Sequence, residues 1–333
     1  MQVNMSKTFS LSLLSLCVLL HPFWGKCSSP LAPALYIFGD SLIDSGNNNF
    51  LATLSKANYA PYGIDFPQGP TGRFTNGNTF VDFLAQFLGL PFAPPYLGLS
   101  VAQKSNTTTG INFASGSAGI LTETGTAMGM NLALQEQIKL FQETVNLYLP
   151  GNFKTEDELM EYLSNSIFVV DIGSNDYINN YLLPEQYTSS HLYSPEQFAN
   201  ILLKELKRHL QDLYNLGARK FLVFNIADLG CTPGIIIREN ITSGCAEEIN
   251  QLAYLYDEGF PSMIQNLSTS LENSTFVQGD IYESSLALGH NPFKSIAEAG
   301  LLTDENPCCT ASNSTFLCFK DVTPCLDRTV YSY

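Results

Sequence analysis

The sequence predicts an α/β fold, a three-layer α/β/α sandwich around a five-stranded parallel sheet, and three observations support that reading. Five apolar runs of strand length, near residues 34–38, 111–120, 166–172, 220–226 and 275–280, alternate with long segments of helical periodicity. The clearest of them, Ile167-Phe168-Val169-Val170, is continuously apolar and β-branched, as a strand buried on both faces must be. The first three runs then break abruptly into Gly, Asp, Ser or Asn, so that polar groups gather at strand ends.

In chain order, residues Met1–Cys27 read as a cleaved leader. Lys7 precedes an apolar core, Phe9–Leu20, too short to span a bilayer, and Gly25 and Cys27 are the small residues at the recognition positions. Residues 28–333 then form one domain, long enough for a sizeable core, with no second stretch that approaches a membrane span. Ala34–Phe38 is the first strand. Gly39-Asp40-Ser41 follows it and puts a hydroxyl at the strand's carboxyl end, where open parallel sheets leave a crevice for ligands. The same residues also fit a plain strand, turn and capped helix with Ser41 or Asp44 as N-cap.

The Gly/Pro-rich region from Tyr59 to Tyr96 reads as long loops around one helix, Thr79–Leu88, with Phe80, Phe83, Leu84, Phe87 and Leu88 as its apolar face. Arg73, in the turn-like Gly72–Gly77, is expected to form a structural loop salt bridge. Ile111–Ile120 is a short strand that dissolves into small residues, which let backbone amides approach a ligand closely. A helix follows at Asn131–Leu149. The strand Ser166–Ile172 ends in Gly173-Ser174-Asn175-Asp176. Ser194-Pro195-Glu196-Gln197 opens a helix that runs to a stop at Gly217, with His209 on its polar side as a solvated residue. Lys220–Ile226, a helix from about Ala246 to Leu267, and Thr275–Asp280 complete the alternation.

Right-handed crossovers between these strands predict the flavodoxin-like order 2-1-3-4-5. In that order the loops after strands one, two and three open on one edge, so Ser41, Gly116 and Asn175 converge.

The formal charge is −15, and losing Lys7 and Lys26 with the leader makes it two units more negative. Such a surface repels phosphate backbones and argues against nucleic acid as a partner. Six of the eight cysteines, Cys231, Cys245, Cys308, Cys309, Cys318 and Cys325, lie beyond the leader. An even number suits disulfides in an oxidising compartment, although six cysteines permit fifteen pairings. Adjacent Cys308 and Cys309 are each expected to reach elsewhere. Their spacings match no common zinc pattern and there are only four histidines, so neither a metal nor a cofactor is expected. Asn106, Asn240, Asn266, Asn273 and Asn313 each begin an Asn-x-Ser/Thr sequence and are candidate glycosylation sites. Leader, cysteines and sequons together predict a secreted glycoprotein without stable membrane insertion.

Gly39-Asp40-Ser41, Asn112-Phe113-Ala114-Ser115-Gly116 and Gly173-Ser174-Asn175-Asp176 together resemble the first three sequence blocks of the GDSL, or SGNH, esterase/lipase family, in its plant secreted branch. The resemblance covers nearly all of the chain beyond the leader and includes Phe38–Asn49, Gly72–Gly77 and Leu229-Gly230-Cys231-Thr232-Pro233. It implies the SGNH hydrolase fold and a serine ester hydrolase acting on small-molecule or polymer-linked acyl or acetyl esters. Ser41 would be the nucleophile, and the Ser41 amide, the Gly116 amide and the Asn175 side chain would hold the oxyanion. The family's base is a histidine in an Asp-x-x-His block near the C-terminus, and that Asp/His pair is absent here. His21, His191, His209 and His290 are the only histidines, and none follows an Asp by three positions. The domain is therefore expected to lack its last segment and to be catalytically impaired. The alternatives are a non-catalytic secreted glycoprotein that binds an acyl or glycan ligand, or a truncated product.

Overall fold

Four parallel strands form the sheet: β1 (Leu35–Gly39), β2 (Ile167–Asp171), β3 (Lys220–Phe224) and β4 (Thr275–Gly279), hydrogen-bonded in the order β1-β2-β3-β4. The computed structural model describes residues 29–226, 228–279, 308–312 and 315–328; the leader, Asn313 and His290 lie outside the described residues. Register is in step across the sheet, with Gly39 opposite Asp171, Val170 opposite Val223 and Phe224 opposite Gly279.

The expected second strand is present as a hydrogen-bonded edge more than as a full strand. Leu35 donates to the Thr109 carbonyl at 3.1 Å and Ile37 to that of Ile111 at 3.1 Å, while Phe113 and Ser115 donate back to Ile37 and Gly39 at 2.8 and 3.0 Å. Only Ile37 and Asn112 form a bridge on that side. The segment is confined by Gly110 at φ 110° on one end and by the small-residue loop 114–119 on the other. With it included, the spatial order is the expected 2-1-3-4-5.

Five long helices flank the sheet: α1 (Phe80–Leu88), α2 (Leu134–Glu143, continued by a wider turn, Thr144–Tyr148), α3 (Glu156–Asn165), α4 (Pro195–Asn215) and α5 (Glu247–Ser270). The capping box expected at Ser194 is formed, with Gln197 returning to the Ser194 amide at 2.9 Å. The sequence reading did not include α3. Its opening turn carries three acids, Glu156, Asp157 and Glu158, which suit the positive end of a helix, and Thr155 caps it.

The two faces of the sheet are covered unequally. Tyr36, Phe38, Phe168, Val170, Phe221 and Val223 point to one side, where α2, α3, α4 and α5 bury them in a single large core. Leu35, Ile37 and Val169 point to the other, against α1.

Two expectations are overturned here. The predicted apolar face of α1 is split: Leu84 and Leu88 pack inward beside Val81, Asp82 and Ala85, whereas Phe80, Phe83 and Phe87 lie open. The cause is Arg73, which forms the expected loop salt bridge, and forms it with Asp82. Its Nε and Nη2 meet the two carboxylate oxygens at 2.7 and 2.8 Å, with both residues buried. Asp82 also accepts from the Thr79 amide and hydroxyl, so the helix is rotated to bring its carboxylate inward. His209, expected on a solvated surface, is 2% exposed. It packs within α4 on the four-helix side, and Arg208 donates to its Nε2 at 3.2 Å. Burial, then the neighbouring guanidinium, lowers its pKa to about 4.

The six cysteines pair as Cys231–Cys245, Cys308–Cys325 and Cys309–Cys318, so the adjacent cysteines do part company. Among the described residues, no helix is long and apolar enough to cross a membrane.

Candidate active site

Ser41 lies two residues beyond the end of β1, Asn175 four residues beyond the end of β2, and Gly116 follows the segment hydrogen-bonded to β1's other edge. Neighbouring parallel strands end together, so their loops emerge on one edge, as the strand order requires. Ser41 is half-buried, and among the described residues nothing hydrogen-bonds to its hydroxyl. Its loop is held from below by Gln137 of α2, whose amide accepts from the Gly39 N–H and donates to the Gly39 carbonyl, both at 2.8 Å. This pair of hydrogen bonds to the backbone fixes where the chain leaves the sheet towards the serine.

The second loop is anchored through asparagines. Asn47 donates to the carbonyls of Asn112 and Ala114 at 3.0 and 2.8 Å. Asn48 donates to that of Gly116 at 3.0 Å and accepts from the Ser115 hydroxyl at 2.6 Å. Asn112 in turn donates to the Ile43 carbonyl at 2.6 Å. Every one of these side chains is buried and satisfied, which makes the two loops one rigid unit. A Cβ at Gly116 would lie 2.5 Å from the Phe74 ring, so the position admits only glycine without rearrangement. Its N–H, expected to face a substrate, donates at 3.1 Å to Oδ2 of Asp44.

The third loop turns at Gly173, φ 136°. Asn175 donates to the Ala118 carbonyl at 3.0 Å and accepts from Asn179 at 2.6 Å, which leaves one amide hydrogen for another acceptor. Beside it, Asp176 accepts from the amides of Ile120 and Leu121 at 2.8 and 3.0 Å and from the Thr124 hydroxyl at 2.7 Å. Asn175 and Asp176 thus both hold the C-terminal end of the small-residue loop.

Four buried carboxyls crowd this edge, all raised chiefly by burial. Asp44 and Asp176 are pushed up to about 6 and Asp171 to about 7. Asp40 is raised well above its ordinary value, by burial and then by the neighbouring Asp171. The two described histidines are elsewhere. His191 is exposed on a short turn at Ser189–Leu192, and His209 is buried in α4. His290 lies outside the described residues. The edge therefore offers one uncommitted Asn175 amide hydrogen, crowds four carboxyls together, and holds no imidazole among the described residues.

Sequence reasoning brought Ser41, Gly116 and Asn175 to one edge, named Asp44 only as a helix cap, and gave no role to the other residues that position them: Asn47, Asn48, Asp176 and Gln137. Asp44-x-Gly46-Asn47 carries a readable signal, since an Asp followed at two and three residues by free amides forms an Asx turn. Gln137 carries none. The candidate glycosylation residues Asn106, Asn240, Asn266 and Asn273 are all exposed.

Residues 35–321 match the sequence profile of GDSL-like Lipase/Acylhydrolase. The chain is 42% identical over 332 residues to GDSL esterase/lipase 7 of Arabidopsis thaliana, covering 97% of this chain and 89% of the relative. It is 40% identical over 333 residues to GDSL esterase/lipase At1g33811 of the same plant, covering 96% and 88%.

Proposed function

The chain belongs to the GDSL-like lipase/acylhydrolase family, and by family it is a carboxylic ester hydrolase; from that premise we propose that it cleaves acyl or acetyl esters through Ser41, with the Ser41 and Gly116 amides and the Asn175 side chain as oxyanion donors. The observation that carries this reading is the shared edge: three loops hung on hydrogen-bonded neighbours, with a half-buried serine hydroxyl free of partners among the described residues.

In the acylation step the Ser41 oxygen bonds to the ester carbon, its proton passes to a base, and the carbonyl oxygen becomes an anion. Donors aimed at that anion lower the barrier, each typically contributing on the order of 10²–10³ in rate. Collapse expels the alkoxide, which takes up a proton, and water then releases the acid from the acyl-serine. No histidine in the sequence follows an Asp by three residues, so we assign the proton to water and expect a rate several powers of ten below that of a complete triad. The leader, the three disulfides and the exposed sequons at Asn106, Asn240, Asn266 and Asn273 support secretion, with glycans at those four residues and at Asn313, whose sequon is read from the sequence.

The test is hydrolysis of p-nitrophenyl esters by the chain, its Ser41→Ala variant and the chain extended with an Asp-x-x-His segment. The expected order is extended, then native, then Ser41→Ala at background. Equal rates in the first two would refute the missing base, and Ser41→Ala matching the native rate would refute the nucleophile. The second reading is a non-catalytic binder of an acyl or glycan ligand. What favours it is that the Gly116 N–H is already engaged. Ligand binding untouched by Ser41→Ala, without turnover in any form, would establish it.

A further inference from the structure

The Gly116 amide meets a carboxylate of the chain itself. Asp44 is fully buried, and while Oδ2 takes the Gly116 N–H at 3.1 Å, Oδ1 takes the amides of Gly46 and Asn47, both at 2.7 Å. The turn after Ser41 is closed around an anion, and one of the donors closing it is the amide assigned to the substrate. A backbone N–H carries one hydrogen, so a bond to Asp44 and a bond to the oxyanion compete. A carboxylate and an oxyanion at one amide also repel each other, more strongly in a buried site than in water.

We infer that Asp44 is a positioning residue that holds the Gly116 amide in the resting protein and must take up a proton before that amide serves the oxyanion. This rests on the reading of Ser41 and Gly116 given above. The proton comes from solvent and goes to Oδ2. Oδ1 keeps the Gly46 and Asn47 amides, so the turn persists, while the neutral group no longer competes as a charged acceptor for the Gly116 N–H. When the tetrahedral intermediate collapses, the amide returns to Asp44 and the proton leaves.

Geometry makes the group responsive in mildly acid solution. Burial raises Asp44 to about 6 against the opposing pull of the Gly46, Asn47, Gly116 and Asn48 amides. From its own loop it faces Asp40, and the Asp44 charge is one of those that raise Asp40. The guanidinium of Arg73 reaches this loop at the Ser45 carbonyl, at 3.4 Å, but its charge is matched by Asp82. The segment 112–117 brings no titratable side chain, and α2 contributes the neutral Gln137. Asp171 and Asp176 act on this corner through Asp40.

The test compares kcat/KM for p-nitrophenyl butyrate from pH 5 to 8 in the native chain, Asp44→Asn and Ser41→Ala. It is paired with the ¹⁵N–¹H shift of Gly116 over the same range. Asparagine keeps a carbonyl oxygen for Gly46 and Asn47 and presents an NH₂ group to Gly116, so the amide is released at every pH. The Ser41-dependent rate of the native chain is expected to rise roughly fiftyfold from pH 8 to 6, as a group titrating near 6 dictates. Asp44→Asn should stay flat within about twofold, with the native Gly116 shift moving through the same midpoint. An Asp44→Asn profile as steep as the native one, with Ser41 still required, overturns this inference and leaves the hydrolase reading intact. So does a native Gly116 shift insensitive to pH, a measurement that does not depend on the variant folding. Absence of Ser41-dependent turnover in every form overturns the hydrolase reading, and the inference falls with it.

Discussion

The two faces of the sheet are held by different forces. On the four-helix side, Phe141 of α2 sits amid Tyr36, Phe38, Phe113 and Phe168, with ring centroids 5.0–6.0 Å apart. On the α1 side the aromatic residues of the helix point outward, Phe87 at 75% exposed, and β4 leaves Val277 54% exposed. What binds α1 to the loops of the site is a buried ion pair, Arg73 with Asp82, whose guanidinium also stacks on Phe66 at 4.5 Å. One face is stabilised by area removed from water and tolerates changes that keep volume. The other depends on two charges that must both be present, because either alone in a buried site is costly.

Four substitutions or conditions sharpen that contrast. Phe168→Ala, which empties the centre of the aromatic core, should cost about 3–5 kcal/mol by denaturant titration. A loss under about 1 kcal/mol would mean that the four-helix face is not the main core. Arg73→Ala touches neither apolar core cluster yet should cost a comparable amount, about 3–5 kcal/mol, by stranding Asp82. Adding Asp82→Leu should recover much of that loss, and no recovery would show that the arginine acts through packing.

Acidity comes next in size. The raised carboxyls of Asp40, Asp44, Asp171 and Asp176 keep protons in the folded state that the unfolded chain, with ordinary carboxyls at 3.8, has lost. Their contribution therefore declines as pH rises from about 4 to 7. His209 opposes them. With its pKa lowered to about 4, it costs stability as pH falls below the ordinary 6.5. Four groups outweigh one, so the melting temperature should be several degrees higher at pH 5 than at 7.5, and Asp171→Asn should narrow the gap. A higher melting temperature at pH 7.5 would reverse this account. The smallest effect belongs to the open side of α1: Phe87→Ser should change stability by no more than about 0.5 kcal/mol while reducing self-association in light scattering. A loss of 2 kcal/mol there would show that the face is packed.

The sequence by itself determined what depends on near neighbours. Apolar runs specified the strands, the Ser194 box and the Gly217 stop bounded α4, and the polar breaks after Phe38, Ala114 and Ile172 marked the loops of the site. These are legible because hydrogen bonds within a helix and the pleat of a strand impose fixed periods on residues a few positions apart. Tertiary structure alone decided which way α1 faces, since Arg73 and Asp82 outweighed an aromatic stripe that periodicity favours. It also decided that His209 is buried, that Gln137 carries Gly39, and how six cysteines pair. Above all it decided that the Gly116 amide meets Asp44. Such pairings join residues as much as 98 positions apart, as Gly39 and Gln137 are. No local period encodes them; they follow from which side chains the packed sheet brings within a hydrogen bond of one another.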